Sequence, residues 1–318
     1  MTNQTIKIEI ARILDKHGLV SETSYDLYMS HGSNKQKKYF LTRCSGKDGS
    51  SFFFKFLVDC DSVNRDNFVK EIKSYALLEK YQFKSFRTLA ISDFEIGDAT
   101  WYIRPYVEGG IIGDAHSIIS NQGIKNHHRQ CLQILAELSE ISPDVTEKTN
   151  LTDFYLLKIR TFANFLFDNL PLGTEQKVKR ELEKIKQTDS NVLVHGDFHW
   201  GNIYFDNDGP FLTDWEYWHH GQRGEDLAKY ITVLWQYPDL QQDAYLNYCS
   251  HLRNNSNIIF ISNFHIFLLI QYLTEFQHWL YYKNISLNKE KYDVDITESG
   301  LKYFKNSCLL LLSGKSLF

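Results

Sequence analysis

The hydrophobic and polar positions change their period about a third of the way along the chain. From Tyr25 to about Val107 the pattern is mainly strand-like. Tyr39–Arg43 and Ser51–Leu57 are rich in aromatic residues and flank a turn at Ser45–Gly49. Lys38–Thr42 also faces Tyr25–Met29 across a short polar loop, and Leu89–Glu95 and Thr100–Tyr106 predict another strand pair around Gly97-Asp98. Between these pairs, 67–80 has helical spacing, with Phe68, Ile72, Tyr75 and Leu78 on one face and Asp66 or Asn67 placed to cap it. After Gly109-Gly110 the period is helical through 126–141, 151–170 and 174–187. A β-like island, 191–213, interrupts it, and helices resume from Asp226. This predicts an α+β chain of two lobes, a β-rich N-lobe over 1–107 and a mainly helical C-lobe over 108–318.

Composition narrows the class without naming the chemistry. Of 318 residues 43% are hydrophobic, enough for one or two substantial cores. A formal net charge of -4 gives a nucleic-acid partner no general electrostatic support. The five cysteines are scattered with no Cys-x-x-Cys pair, so neither a zinc knuckle nor a disulfide framework is implied. The N-terminal residues read as a short amphipathic helix rather than a signal peptide. Residues 258–273 are the most apolar stretch, but Ser262, Asn263, His265 and Gln271 break it, which predicts a buried helix rather than a membrane span. The expectation is a cytoplasmic protein with no nucleic-acid or membrane partner; oligomeric state is not legible.

The most informative segment is Val-Leu-Val-His195-Gly196-Asp197-Phe198-His199-Trp200-Gly201-Asn202-Ile-Tyr-Phe, followed by Leu212-Thr213-Asp214-Trp215-Glu216. An apolar strand delivers a polar cluster, and a second follows it. Asp197, Asn202 and Asp214 offer three oxygen donors, the ligand type that suits Mg²⁺. A competing reading is a metal-dependent hydrolase, because His195, Asp197 and His199 alternate along the chain.

These strings resemble the aminoglycoside phosphotransferase and choline kinase superfamily, protein-kinase-like small-molecule kinases whose pattern is His-Gly-Asp-x-His-x-x-Asn, then Asp-Trp/Phe-Glu. The resemblance spans about 21–229. It implies a protein-kinase-like two-lobed fold and an ATP-dependent phosphotransferase, with ATP as phosphate donor and Mg²⁺ as cofactor. By it Asp197 is the catalytic base or hydroxyl-positioning residue, and Asn202 and Asp214 hold the metal on the ATP phosphates. It also asks for a strand lysine and a helix glutamate. Lys55 shares a strand face with Phe53 and Leu57, and an ammonium there needs a partner; Glu71 lies beside Phe68, Ile72 and Tyr75 to supply one. Ser33 and Asn34, in Ser30–Lys35, resemble the superfamily's Gly-x-Ser-Asn nucleotide loop. Arg104–Gly110, with Tyr106, matches the inter-lobe hinge, although Pro105 and the glycines equally fit an ordinary linker. Gly224–Ala228 resembles the family's Asp-Leu-Ala helix start, with Asp226 read as an N-cap that braces the catalytic loop. Trp200 departs from the pattern, as a proline or small residue is commoner there.

Asp214 is followed by Trp-Glu rather than Phe-Gly, and no Ala-Pro-Glu occurs, which leaves little room for a peptide platform. The acceptor is therefore expected to be a small molecule. An amino-alcohol such as choline or ethanolamine, thiamine, a sugar or an aminoglycoside all stay open. Glu216, Tyr217 and Trp218, with Tyr272, Glu275, Gln277, Trp279, Tyr281 and Tyr282, include rings and carboxylates able to hold an ammonium, though an aromatic stripe is more often core. Asp293, Asp295 and Glu298 offer carboxylates for a polycation. A non-catalytic pseudokinase is the rival from another class; its expected sign, loss of Lys55, Asp197, Asn202 or Asp214, is not present.

Overall fold

The computed structural model describes residues 3–22, 26–28, 39–58, 61–92, 100–111, 113, 121–142, 150–161, 164–185, 192–251, 254–284 and 294–315. The chain divides into two compact units, Met1–Ile112 with Asn202–Trp218, and Gly113–Gly201 with His219–Phe318.

The first unit is built on an antiparallel sheet. Its strands are β1 (Leu19–Ser21), β2 (Asp26–Tyr28), β3 (Tyr39–Gly46), β4 (Ser51–Leu57), β5 (Ala90–Ile91) and β6 (Trp101–Pro105). They run in the order β1-β3-β4-β6-β5, with β2 also pairing β3. The β3–β4 turn closes where Gly49 takes φ 82, a conformation glycine adopts without steric cost. Alternation along β4 separates two environments. Phe54 and Phe56 face a cluster with Ile6, Ile10, Ile13 and Leu14 of α1 (Asn3–Lys16). Lys55 lies on the opposite face, in register between Leu41 and Tyr102.

The helix α2 (Ser62–Lys80) starts earlier than the apolar period predicts. Asp61, not Asp66 or Asn67, is its cap, accepting a hydrogen bond from the Asn64 backbone N–H at 2.8 Å. The first turn and a half carries few apolar residues, so the cap marks its beginning and the periodicity does not. The predicted strand from Leu89 is short, and most of its expected turn, with Gly97-Asp98, lies outside the described residues.

The island at 191–213 divides differently from its sequence pattern. β8 (Val192–Val194) pairs with β11 (His219–Gly221), whereas β9 (Ile203–Asp206) and β10 (Gly209–Leu212) form a hairpin beside β7 (Gly110–Ile111). The two strands flanking the motif therefore belong to different sheets and different units. β7 and β11 are too short to carry a period of two, so neither was predicted.

The second unit is helical: α3 (Asn121–Ser139), α4 (Leu151–Thr161), α5 (Asn164–Asp168), α6 (Thr174–Leu182), α7 (Glu225–Val233), α8 (Pro238–His251), α9 (Asn254–Asn284) and α10 (Val294–Leu312). The predicted single helix 151–170 is two, and 174–187 ends as a helix at Leu182. Every residue of α7 is buried, so it packs on all sides, against α8 and α9 among others. As expected for 258–273, the described side chains of α9 in that stretch are mostly buried. No helix among the described residues is long and apolar enough to cross a membrane.

Candidate functional site

In the first unit the predicted lysine and glutamate meet. Lys55 Nζ donates to Glu71 Oε2 at 2.6 Å, and both side chains are almost fully buried. The other carboxylate oxygen, Oε1, accepts from Tyr75 and Tyr102 hydroxyls at 2.9 and 3.0 Å. Glu71 is thereby fixed by three donors. Burial alone would pull the lysine down, but Glu71 first, then Tyr102, Asp214 and Glu216, hold the ammonium above its ordinary range. Burial first, then Glu71, pushes the Tyr102 hydroxyl up to about 12. Lys55 further sits 4.1 Å from the centroid of Tyr39, whose hydroxyl donates to Glu216 Oε2 at 2.6 Å. Tyr39 so ties the lysine to the Asp-Trp-Glu segment, a link that one residue of an aromatic strand gives no sequence sign of.

Asn202 and Asp214 belong to the same unit. The β9–β10 hairpin brings their chain segments together: the Thr213 N–H and hydroxyl both donate to the Asn202 carbonyl, at 2.9 and 3.1 Å. Asp214 adopts φ 61, a left-handed backbone for a non-glycine residue, with Trp215–Tyr217 turning immediately after it. Such a conformation costs roughly 1–3 kcal/mol and persists where surrounding structure holds it. Buried Trp215, whose indole N–H donates to the Leu212 carbonyl, and the Trp218 indole N–H on the Lys70 carbonyl at 2.7 Å supply that hold. An amide oxygen and a carboxylate on neighbouring segments are donor types that suit a hard cation such as Mg²⁺.

Asp197 stands in the second unit, in the irregular stretch after β8, where Gly196 takes φ 85. Asp226 fixes this stretch: its two carboxylate oxygens accept the His195 and Gly196 backbone N–H groups at 2.8 and 2.9 Å. It is not the N-cap that the sequence predicted. Gly224 occupies that position, and the Asp226 side chain turns to the loop instead. Burial, opposed by those two N–H groups, raises its carboxyl to about 7.

The histidines also hold the loop. His195 Nδ1 accepts from the Asp197 N–H at 3.3 Å, and His199 Nδ1 accepts from the Gly201 N–H at 3.0 Å. With its Nδ1 accepting, a neutral His199 carries its proton on Nε2, which lies 3.2 Å from Asp197 Oδ2 and donates to it. The alternation His195, Asp197, His199 therefore does not point three ligands at one metal. Among the described residues no three His, Cys, Asp or Glu side chains gather to hold a metal ion.

The other Asp197 oxygen meets a residue the sequence reading did not single out. Lys229 Nζ lies 3.2 Å from Asp197 Oδ1 and 3.0 Å from Glu275 Oε1. Burial would raise the Asp197 carboxyl, but Lys229 first and His199 second bring it well below the ordinary range, so it stays ionised. Lys158, on α4, belongs to the same electrostatic group; burial, then Lys229, lowers it to about 8. A signal for the pair existed. Lys229 is the one base in the buried helix α7, and Glu275 a lone acid in an apolar stretch of α9, and each needs a partner of opposite sign.

Of the remaining candidates, Ser33 and Asn34 lie outside the described residues. The Tyr106 backbone N–H donates to the Ser51 carbonyl at 2.9 Å, and the Arg43 guanidinium stacks 4.3 Å from its ring. Tyr272 and Trp279 are 0% and 1% exposed and pack with residues of α10 and Trp235, so they are core rather than a ligand cage. Trp200 is likewise buried. Asp293 and the side chains of Tyr282 and Asp295 are outside the described set, and Glu298 is exposed.

The sequence profile of the phosphotransferase enzyme family (APH) matches residues 31–250, most of the chain and all of the site residues just described except those beyond position 250. The chain belongs to the phosphotransferase enzyme family. It is an enzyme of the small-molecule kinase class. Solved structures with the same fold include the choline kinase LicA from Streptococcus pneumoniae, 14% identical over 96% of this chain and 99% of that one, TM-score 0.61. The amicoumacin kinase hAmiN, solved with AMP-PNP, Ca²⁺ and Ami, is 11% identical over 98% and 96%, TM-score 0.62. A thermostable mutant of the aminoglycoside phosphotransferase APH(4)-Ia, solved with ADP and hygromycin B, is 14% identical over 97% and 99%, TM-score 0.60. The fold of this phosphotransferase is thus α+β and protein-kinase-like. No sequence among the curated proteins is significantly similar to it.

Proposed function

We propose that this phosphotransferase moves the γ-phosphate of Mg²⁺·ATP to a hydroxyl of a small molecule, with Asp197 as the residue that receives and orients that hydroxyl. The observation that carries the reading is the state of Asp197: an ionised carboxylate with one oxygen on Lys229 and the other on His199, on a loop pinned by Asp226. A carboxylate fixed in this way orients a hydroxyl and accepts its proton as the O–P bond forms.

Lys55, locked by Glu71, is suited to phosphate oxygens, because its charge is held by a partner that is itself held. Asn202 and Asp214 would hold Mg²⁺, which when bound neutralises phosphate charge. Tyr106 and the segment with Ser33 and Asn34 are the proposed nucleotide contacts. In this arrangement catalysis comes from positioning and charge neutralisation rather than from a covalent intermediate. The ten residues between Asp214 and Glu225, where α7 begins, favour a small acceptor over a peptide. The test is ADP release from Mg²⁺·ATP with a panel of hydroxyl compounds. Release that depends on an acceptor and disappears in Asp197→Ala supports the reading; unchanged release in that variant removes Asp197 from the chemistry.

A further inference from the structure

Several of the groups that the sequence offered as holders of a cationic acceptor are engaged inside the protein, whereas Tyr217 and Glu298 are exposed. Glu275 is 2% exposed and pairs with Lys229. Glu216 accepts the Tyr39 hydroxyl. Tyr272 and Trp279 are core. Around the reacting carboxylate itself the nearest charged neighbour is an ammonium: Lys229 Nζ at 3.2 Å from Asp197 Oδ1, with Lys158 in the same group and the His199 N–H on Oδ2.

We propose that the acceptor of this enzyme brings no positive charge to its reacting hydroxyl, being an uncharged or acidic hydroxyl compound, and that Lys229 is the residue that sets this preference. The proposal rests on Asp197 being the hydroxyl-orienting residue. A hydroxyl that hydrogen-bonds Asp197 comes within a few ångströms of the Lys229 ammonium. If the acceptor carries an ammonium one or two carbons away, two like charges face each other across a carboxylate that already serves one of them. The repulsion acts in a largely buried setting, where screening by water is weak. A polyol, a sugar or a hydroxy acid meets no such opposition, and an acidic group gains from both lysines. Lys229 is here a specificity-determining and positioning residue, acting on the acceptor through the Asp197 carboxylate and through its own charge.

Replacing Lys229 alone strands the buried Glu275 charge and risks unfolding the helical unit. The informative variant is therefore Lys229→Met combined with Glu275→Gln, which removes both charges and keeps similar side-chain volume. Its melting temperature is compared with that of the unaltered enzyme before kinetics. Steady-state ADP release is then measured with matched amino-alcohols, uncharged polyols and sugars, and hydroxy acids. The unaltered enzyme should favour the uncharged and acidic acceptors over the amino-alcohols by at least tenfold in kcat/KM. In the double variant kcat should fall for every acceptor, while that ratio falls at least tenfold, mainly through KM. Preference for amino-alcohols in the unaltered enzyme, or an unchanged ratio in a folded double variant, overturns the proposal. Acceptor-dependent release that survives in Asp197→Asn overturns the assignment of Asp197 instead, and so separates the two failures.

Discussion

Two buried lysines anchor the two units, and they are held in opposite ways. Lys55 faces one carboxylate, Glu71, which two tyrosine hydroxyls also fix. Lys229 stands between two carboxylates, Asp197 and Glu275, and only one of these is nearly closed to solvent. The first arrangement fixes the glutamate with three donors, one of them the Lys55 ammonium; the second fixes the aspartate with the Lys229 ammonium. On the function proposed above, similar ion-pair chemistry would present a cation to phosphate in one unit and an anion to a hydroxyl in the other.

The comparison breaks most sharply at the aspartate. Asp197→Ala should lower turnover by about 10²–10⁴-fold, the usual range for a positioned acid–base group. Nucleotide affinity, measured by titration calorimetry, should change little, because Lys55, Asn202 and Asp214 remain. Next is Lys55→Met, which leaves Glu71 buried without its cation. We expect a loss of about 3–5 kcal/mol in unfolding free energy, read by denaturant titration, together with weaker ATP binding. Lys55→Met with Glu71→Gln should recover most of the stability and none of the nucleotide affinity. Asp214→Ala should abolish the Mg²⁺ dependence of nucleotide binding, checked by titrating ATP with and without the metal. Because Asp214 has a left-handed backbone, Asp214→Gly should relieve local strain and cost less stability than Asp214→Ala while losing the same metal response.

The smallest effect is expected from Lys158. Its folded pKa of about 8 lies below the usual lysine range, so the native state binds fewer protons than the unfolded state between the two values. Stability from this group is therefore lowest below pH 8 and rises with pH above it. Lys158→Met should raise the melting temperature by about 2–4 °C at pH 7, the shift expected for 1 kcal/mol in a domain this size, and flatten the rise above pH 8. A variant equally destabilised at every pH would place Lys158 outside the charge group of Asp197.

What the sequence made legible follows the range of its periodicities. Lys55 and Glu71 were readable because the family resemblance asks for such a pair, and the strand and helix periods then indicated which residues could supply it. Asp197, Asn202 and Asp214 were readable through family strings rather than through any period. The Lys229–Glu275 pair was not, since its members stand on different helices 46 residues apart, and Glu275 was read only as a possible holder of an ammonium. The start of α2 was missed because a cap decides it, and β7 and β11 because two or three residues carry no alternation. The function of Asp226 was half readable: its bracing of the loop was expected, but through a cap rather than through the two backbone N–H groups it accepts.

In the function proposed here Asp197 orients the acceptor hydroxyl, and Lys55, Asn202 and Asp214 hold the nucleotide and its metal. The most direct test measures ADP release and ATP affinity together for the unaltered enzyme and for Asp197→Asn, with one acceptor that supports turnover. The account predicts that acceptor-dependent release falls by at least about a hundredfold while the ATP dissociation constant moves less than about threefold. Release that persists in Asp197→Asn, or ATP affinity that collapses with it, would contradict the division of labour.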